Sequence, residues 1–65
     1  MDREQLLTMD CNMLLSIVNM KLRNNYDSLK SFCDDFAVDE FLICERLKSI
    51  GYVYHKKINQ FIRTE

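Results

Sequence analysis

The apolar spacing changes its period at Gly51, which is the single glycine of the chain. Between Ile43 and Ile50, large apolar residues recur every three or four positions, as on one face of a helix. From Tyr52 to His55 the spacing becomes a two-residue alternation, which is typical of a strand. Gly51 suits the position after a helix end, where the backbone turns left-handed. The change predicts helices that end in a C-terminal β-hairpin.

Length and residue types limit the kind of protein. A chain of 65 residues has room for a single domain, which we expect over residues 1–65; at this size only ~60% of the unfolded surface is buried. Such a chain often gains stability by self-association. Three widely spaced cysteines argue against a disulfide framework and for a reducing compartment, the cytoplasm. No stretch approaches the ~20 apolar residues of a membrane span, so no membrane partner is expected.

The first half of the chain is predicted to contain one main helix. Residues 1–9 are a lead-in with at most a short helical turn around Leu6 and Leu7. Asp10 is placed as the N-cap of helix one, residues 10–25. One apolar stripe of this helix comprises Leu14, Val18 and Leu22, with Leu15 beside them. A second apolar side comprises Met13, Ile17 and Met20, and the polar strip comprises Ser16, Asn19 and Arg23.

Two apolar sides on one helix predict contact with two surfaces, one inside the domain and one outside it. The alternative is that the lead-in or the C-terminal hairpin covers Met13, Ile17 and Met20. Both interpretations fit the spacing, since the spacing does not reveal which segment packs on that side.

Residues 27–51 are predicted to form a pair of helices. Asp27 or Ser28 caps the first, and Asp39 caps the second, which runs to Ile50. Residues 52–63 form the β-hairpin around a Lys-Lys-Ile-Asn turn. The expected fold is mainly α: a three-helix, helix-turn-helix-like domain with a C-terminal, wing-like β-hairpin.

The helix pair resembles a helix-turn-helix position by position. Leu29 takes the apolar start, and Cys33 takes the small position where the helices cross. Ala37 stands where the turn often has Gly, and Val38 is the apolar residue after it. The core positions of the second helix are held by Ile43 and Leu47.

Two longer stretches carry a second resemblance, "MLLSIVNMKLR" in helix one and "LKSIGYVYHKKINQF" at the C-terminal end. They are similar to a family of short, uncharacterised bacterial proteins classed as a domain of unknown function. The resemblance spans nearly the whole chain. It implies a bacterial origin, and it implies no activity and no site residues.

Two functional interpretations follow from these features. The favoured one is a protein-interaction or self-associating module, most simply a dimer, that uses exposed apolar side chains: Met13, Ile17, Met20, Phe41 and Leu42. The alternative is a helix-turn-helix transcription regulator whose phosphate contacts are basic: Arg46, Lys48, His55, Lys56, Lys57 and Arg63. Glu40 and Glu45 oppose DNA binding, because base edges are read mainly by Arg, Lys, Asn and Gln.

An enzyme is not expected from this sequence. No nucleophile or carboxylate is spaced recognisably from the single histidine, His55. Cys33, Cys44 and His55 lack the paired local ligands of a zinc site. We therefore expect no cofactor and no metal.

Overall fold

The computed structural model describes residues 2–64, so the two end residues of the predicted domain lie outside the described ones. The elements in chain order are α1 (Arg3–Thr8), α2 (Cys11–Asn24), α3 (Leu29–Asp35), α4 (Glu40–Lys48), β1 (Tyr52–His55) and β2 (Gln60–Arg63). The strands pair antiparallel as a hairpin. The mainly helical fold with a C-terminal hairpin is confirmed. The lead-in contributes a helix of its own, so four described helices precede the hairpin.

Helix α1 starts with a capping box. The Asp2 carboxylate accepts the Gln5 backbone N–H at 2.9 Å, and the Gln5 side chain accepts the Asp2 backbone N–H at 3.1 Å. Leu6 on this helix is fully buried in the core. The guanidinium of Arg46 holds the other end of α1, donating to the carbonyl oxygens of Leu6 and Met9 at 2.8 and 2.5 Å. A charged donor on these carbonyls replaces the hydrogen bonds that a helix end lacks.

The other helices start at the polar residues that the sequence predicts. Asp10, Ser28 and Asp39 are the N-caps of α2, α3 and α4, and each side chain accepts a backbone N–H of its helix. Of the two residues predicted to cap α3, Ser28 is therefore the cap. With Asp10 and Asn25 as its caps, α2 spans the predicted range 10–25.

Helix α4 is shorter than predicted. It ends at Lys48, with Ser49 as its C-cap, whereas the spacing predicts an end at Ile50. The N–H of Ile50 donates to the carbonyl of Leu47 at 3.2 Å, and the N–H of Gly51 donates to Lys48 at 2.9 Å. These three-residue bonds tighten the chain into a turn before β1. Gly51 has a φ of 86°, as its predicted position requires.

The core lies between the four helices and one face of the hairpin. Its buried apolar members are Leu6, Leu14, Val18, Leu22, Leu29, Phe32, Cys33, Val38, Ile43, Leu47 and Phe61. The apolar positions of the helix-turn-helix resemblance, other than the exposed Ala37, are among them. Ala37, between α3 and α4, has a φ of 55°, so its turn needs the left-handed backbone that glycine adopts most easily.

The hairpin is attached to α2 by the side-chain amide of Asn19. Its Nδ2 donates to the Phe61 carbonyl at 3.0 Å, and its Oδ1 accepts the Phe61 N–H at 2.8 Å. The amide therefore occupies the outer edge of β2 in the way a neighbouring strand would. Asn19 belongs to the predicted polar strip of α2 and is half-buried, because the hairpin packs against that side of the helix.

A second amide, that of Asn59, joins the hairpin turn to the end of α2. Its Nδ2 donates to the carbonyls of Leu22 and Tyr26 at 3.0 and 2.9 Å. Its Oδ1 accepts the Tyr54 hydroxyl at 2.6 Å, and that hydroxyl accepts the Leu29 N–H at 3.2 Å. One chain of hydrogen bonds thus connects the hairpin, the C-terminal end of α2 and the N-terminal end of α3.

Exchanging alanine and glycine at two of the three left-handed positions, Ala37 and Gly51, tests the backbone argument; the third is Asn59, with a φ of 53°. Ala37→Gly should raise the free energy of unfolding by about 0.5 kcal/mol, because relief of backbone strain exceeds the added entropy of the unfolded chain. Gly51→Ala should lower it by about 1 kcal/mol, and a Cβ there would meet no atom within 4 Å, so the cost is one of backbone conformation. Urea unfolding measures the free energy of unfolding of both variants. Changes of the same sign would contradict the view that backbone conformation limits stability at these positions.

Removing the Asn19 amide tests how the hairpin is held. Asn19→Ala leaves the N–H and carbonyl of Phe61 without a partner, so we expect a loss of about 2 to 3 kcal/mol in the free energy of unfolding. Asn12→Ala, at an exposed position of the same helix, is the control and should change it by less than about 0.5 kcal/mol. Equal losses in the two variants would show that Asn19 matters only for helix propensity.

Candidate interaction surface

Helix α2 presents an apolar side to solvent, away from both the core and the hairpin. The side chains of Met13 and Met20 are 58% and 46% exposed, and Ile17 between them is half-buried. A shallow depression on this side is lined by Asn12, Met13, Ser16 and Ile17. Neither the lead-in nor the hairpin covers it, although both were open alternatives. We call these residues, with Met20, the methionine face.

The methionine face carries no charge. The ten residues from Cys11 to Met20 include no Asp, Glu, Lys or Arg, although they form most of α2. Helix sides that only meet water usually mix charges of both signs. An exposed side that is both apolar and uncharged is typical of a surface that packs against protein.

A second apolar surface lies at the start of α4. Phe41 is 64% exposed and Leu42 is 42% exposed, so the lead-in does not cover Phe41. Leu42 lines a groove with Leu7, and the other lining residues are Asp2, Arg3, Glu4, Thr8, Ala37 and Asp39. We call this the acidic groove, because three carboxylates and one guanidinium line it.

The five residues predicted as one interface fall on two surfaces. Met13 and Ile17 line the depression on α2, whereas Leu42 lines the acidic groove, and the two sets of lining residues do not overlap. The sequence places them on different helices but does not reveal how those helices turn relative to each other. The structure therefore separates the methionine face from the pair Phe41 and Leu42.

Charge is divided between two parts of the chain although the net charge is only −1. Residues 27–45 contain six carboxylates and one lysine, whereas residues 46–64 contain five Lys and Arg and no carboxylate. The acidic part includes α3 and α4, and the basic part includes the hairpin. The molecule thus has an acidic and a basic part, and each attracts the opposite charge over about a Debye length.

The predicted basic contacts are not all in one place. Lys56 and Lys57 are exposed in the hairpin turn next to His55, whereas Arg63 pairs with Tyr52 at the opposite end of the strands. Lys48 is exposed at the end of α4. Arg46 is half-buried, and both of its terminal nitrogens donate to carbonyls of the α1 end.

One exposed apolar side chain was absent from the sequence prediction. Ile58, in the hairpin turn, is 56% exposed and follows Lys57 directly. A signal was available, because an apolar residue within a predicted four-residue turn has no strand face to pack on. Together, Lys56, Lys57 and Ile58 form what we call the basic tip.

Cys33 and Cys44 have the properties of core residues. Burial is the main cause that raises the pKa of the Cys33 thiol, to about 12, with smaller contributions from nearby carboxylates and Cys44. Burial first, then Glu40 and Glu45, also raises the pKa of Cys44. Near neutral pH both remain thiols, and a thiol is a poor nucleophile. Within residues 2–64, no three His, Cys, Asp or Glu side chains are grouped closely enough to hold a metal ion.

The raised pKa of Cys33 predicts an alkaline loss of stability. The folded protein keeps this proton until about pH 12, whereas an unfolded thiol releases it near 9.0. The free energy of unfolding should therefore fall as pH rises above 9.0, with a slope of at most about 1.4 kcal/mol per pH unit from this group. Urea unfolding of the wild type and Cys33→Ala between these limits measures it. Equal pH dependence of the free energy of unfolding in the two proteins would show that the Cys33 thiol is not its source.

Comparison with known protein families places the chain in a family. Neither the curated proteins nor the solved structures include a match to the chain. Of the described helices, none combines the length and the apolar character needed to cross a membrane. Residues 8–61, which include α2 to α4 and β1, match a family described only as a domain of unknown function. On that match, which covers most of its length, the chain belongs to the DUF4250 family of domains of unknown function.

Proposed function

We propose that this chain is a small, non-catalytic protein-association module whose docking surface is the methionine face of α2. The observation that carries the proposal is the exposure of Met13 and Met20 on a helix side without charges. Methionine side chains are flexible and polarisable, so they adapt to the irregular surface of another protein. The depression beside Ile17 provides a place for an apolar side chain of the partner.

Phe41 and Leu42 support a second, separate contact. Leu42 and Leu7 supply the apolar part of the acidic groove, and the carboxylates of Asp2, Glu4 and Asp39 surround it. A groove with this composition suits an apolar side chain flanked by lysine or arginine. Such a contact would be weakened by salt, because exposed charges are screened.

Two further points belong to the proposal. The absence of catalysis is supported by the raised thiol pKa values of Cys33 and Cys44, which make these two side chains poor nucleophiles near neutral pH. A location in the bacterial cytoplasm is supported by the free thiols of Cys11, Cys33 and Cys44, because free thiols persist in reducing compartments.

Site-specific photo-cross-linking in cells tests the docking surface. A photoreactive phenylalanine analogue replaces Met13 in one variant and Lys30 in the control. Lys30 is exposed on α3 and belongs to neither apolar surface. We expect a discrete cross-linked product from position 13 and none from position 30, because the proposal places protein against the methionine face and none against the side of α3 that carries Lys30. No product from position 13, with the protein folded and expressed, would contradict the proposal.

The alternative function is DNA binding through the basic part of the chain. It is supported by the exposure of Lys48, Lys56 and Lys57 and by the absence of carboxylates from residues 46–64. Binding of this kind depends on salt, because each phosphate contact releases a counterion. A gel-shift titration with duplex DNA tests it. This function predicts binding that weakens as salt rises and is lost in Lys56→Ala/Lys57→Ala; no binding at low salt would exclude it.

A further inference from the structure

We infer that the protein bound at the methionine face is a second copy of this chain, packed with its α2 antiparallel across a two-fold axis near Ser16. The inference rests on the proposed function and names the partner of the same surface. Three observations support it: the placement of the apolar side chains along α2, the charges beside them, and the opposite character of the two ends of the molecule.

The apolar side chains are placed symmetrically along α2. Met13 and Met20 lie almost equally far from a midpoint at Ser16 and Ile17. A two-fold axis through this midpoint places Met13 of one copy beside Met20 of the other. The same patch then serves both copies, which is the defining property of a two-fold interface. Ser16 is small, so the helices approach closely at the axis.

The charges beside the methionine face favour the antiparallel direction. At ~100° per residue, Asp10 and Lys21 lie along the same edge of the face, one at each end of α2. Both have exposed or half-exposed side chains. An antiparallel pair places Asp10 of one copy near Lys21 of the other, twice. A parallel pair would place the two copies of Asp10 at one height and the two copies of Lys21 at another, on opposite edges of the interface, so the Asp10–Lys21 contacts would be lost.

The positions of the acidic groove and the basic tip also favour antiparallel packing of the two α2 helices. Helix α2 begins at Cys11, just after Thr8, which lines the acidic groove. It ends near the hairpin turn, where Asn59 donates to the Leu22 carbonyl at 3.0 Å. Antiparallel packing therefore brings the basic tip of each copy to the acidic-groove end of the other. Attraction between Lys56 and Lys57 of one copy and the groove carboxylates of the other favours this arrangement over the parallel one.

A pair of this kind also suits a chain of this size. A 65-residue protein buries only ~60% of its unfolded surface, so additional apolar burial contributes a large part of its stability. The methionine face is an exposed apolar stripe on α2, which with 14 residues is the longest helix described.

Disulfide cross-linking of the full chain tests both the partner and the direction. Ser16→Cys should form a disulfide-linked dimer on mild oxidation, because the two copies of position 16 meet at the axis. Met13→Cys alone should form at least ten-fold less disulfide-linked dimer. The two copies of position 13 would be about 9 Å apart along the helix direction, which is beyond the reach of a disulfide bond. Mixing Met13→Cys with Met20→Cys should restore the cross-link. Wild-type protein, oxidised in parallel, corrects for the native cysteines.

A charged substitution supplies a matched control. Met13→Asp in the Ser16→Cys protein should reduce the cross-linked dimer about ten-fold or more, because a carboxylate would be buried without a partner. The helix itself should keep its stability, since an acidic residue is favourable in the first turn. Phe41→Ser removes an exposed apolar side chain from the other surface without adding charge near the acidic groove, and should leave the dimer yield unchanged. Circular dichroism confirms that both variants fold.

The outcomes separate this inference from the proposed function. Cross-linking of Met13→Cys alone as efficiently as Ser16→Cys would overturn the antiparallel direction. A product from the photoreactive position 13 that contains a different protein, with no Ser16→Cys dimer above wild type, would overturn the self-association and leave the association module standing. No product in either experiment would overturn both.

Discussion

Two asparagine amides connect the C-terminal hairpin to α2, and the arrangement of the surfaces depends on that connection. A two-stranded hairpin is marginal by itself. Asn19 pairs with the outer edge of β2 at Phe61, and Asn59 joins the hairpin turn to the last carbonyls of α2. Because the hairpin and the core occupy adjoining sides of α2, the side that carries Met13 and Met20 is the one left for solvent or for another protein.

Arg46 plays a comparable part at the opposite end of the molecule. Its guanidinium joins α4 to the carbonyls of Leu6 and Met9, so α1 is fixed where it lines the acidic groove. The basic tip lies at the other end of α2, next to Asn59. The apolar side of α2 thus lies between a groove lined mainly by carboxylates and a hairpin turn that carries Lys56 and Lys57. This polarity gives the proposed self-association a direction that the apolar side chains alone would leave undetermined.

Much of the fold could be predicted because its signals are local. Asp10, Ser28 and Asp39 are good N-caps in any context, and Gly51 ends a helix by its backbone freedom. Helix α1 was predicted only as a short turn, although the spacing of Asp2 and Gln5 is that of a capping box. The roles of Asn19 and Arg46 had no local signal, since their partners are about 40 positions away along the chain. Asparagine and arginine are also residue types that usually lie at the surface.

The sequence by itself determined the order of helices and hairpin, the left-handed positions and the two apolar sides of α2, because caps, periodicity and glycine act through neighbouring residues. Only the tertiary structure decided which apolar side stays exposed, that Phe41 and Leu42 belong to a different surface, and that Arg46 bonds to α1. The physical reason is that exposure depends on the rotation of each helix against its neighbours. That rotation is set by contacts between residues far apart in sequence.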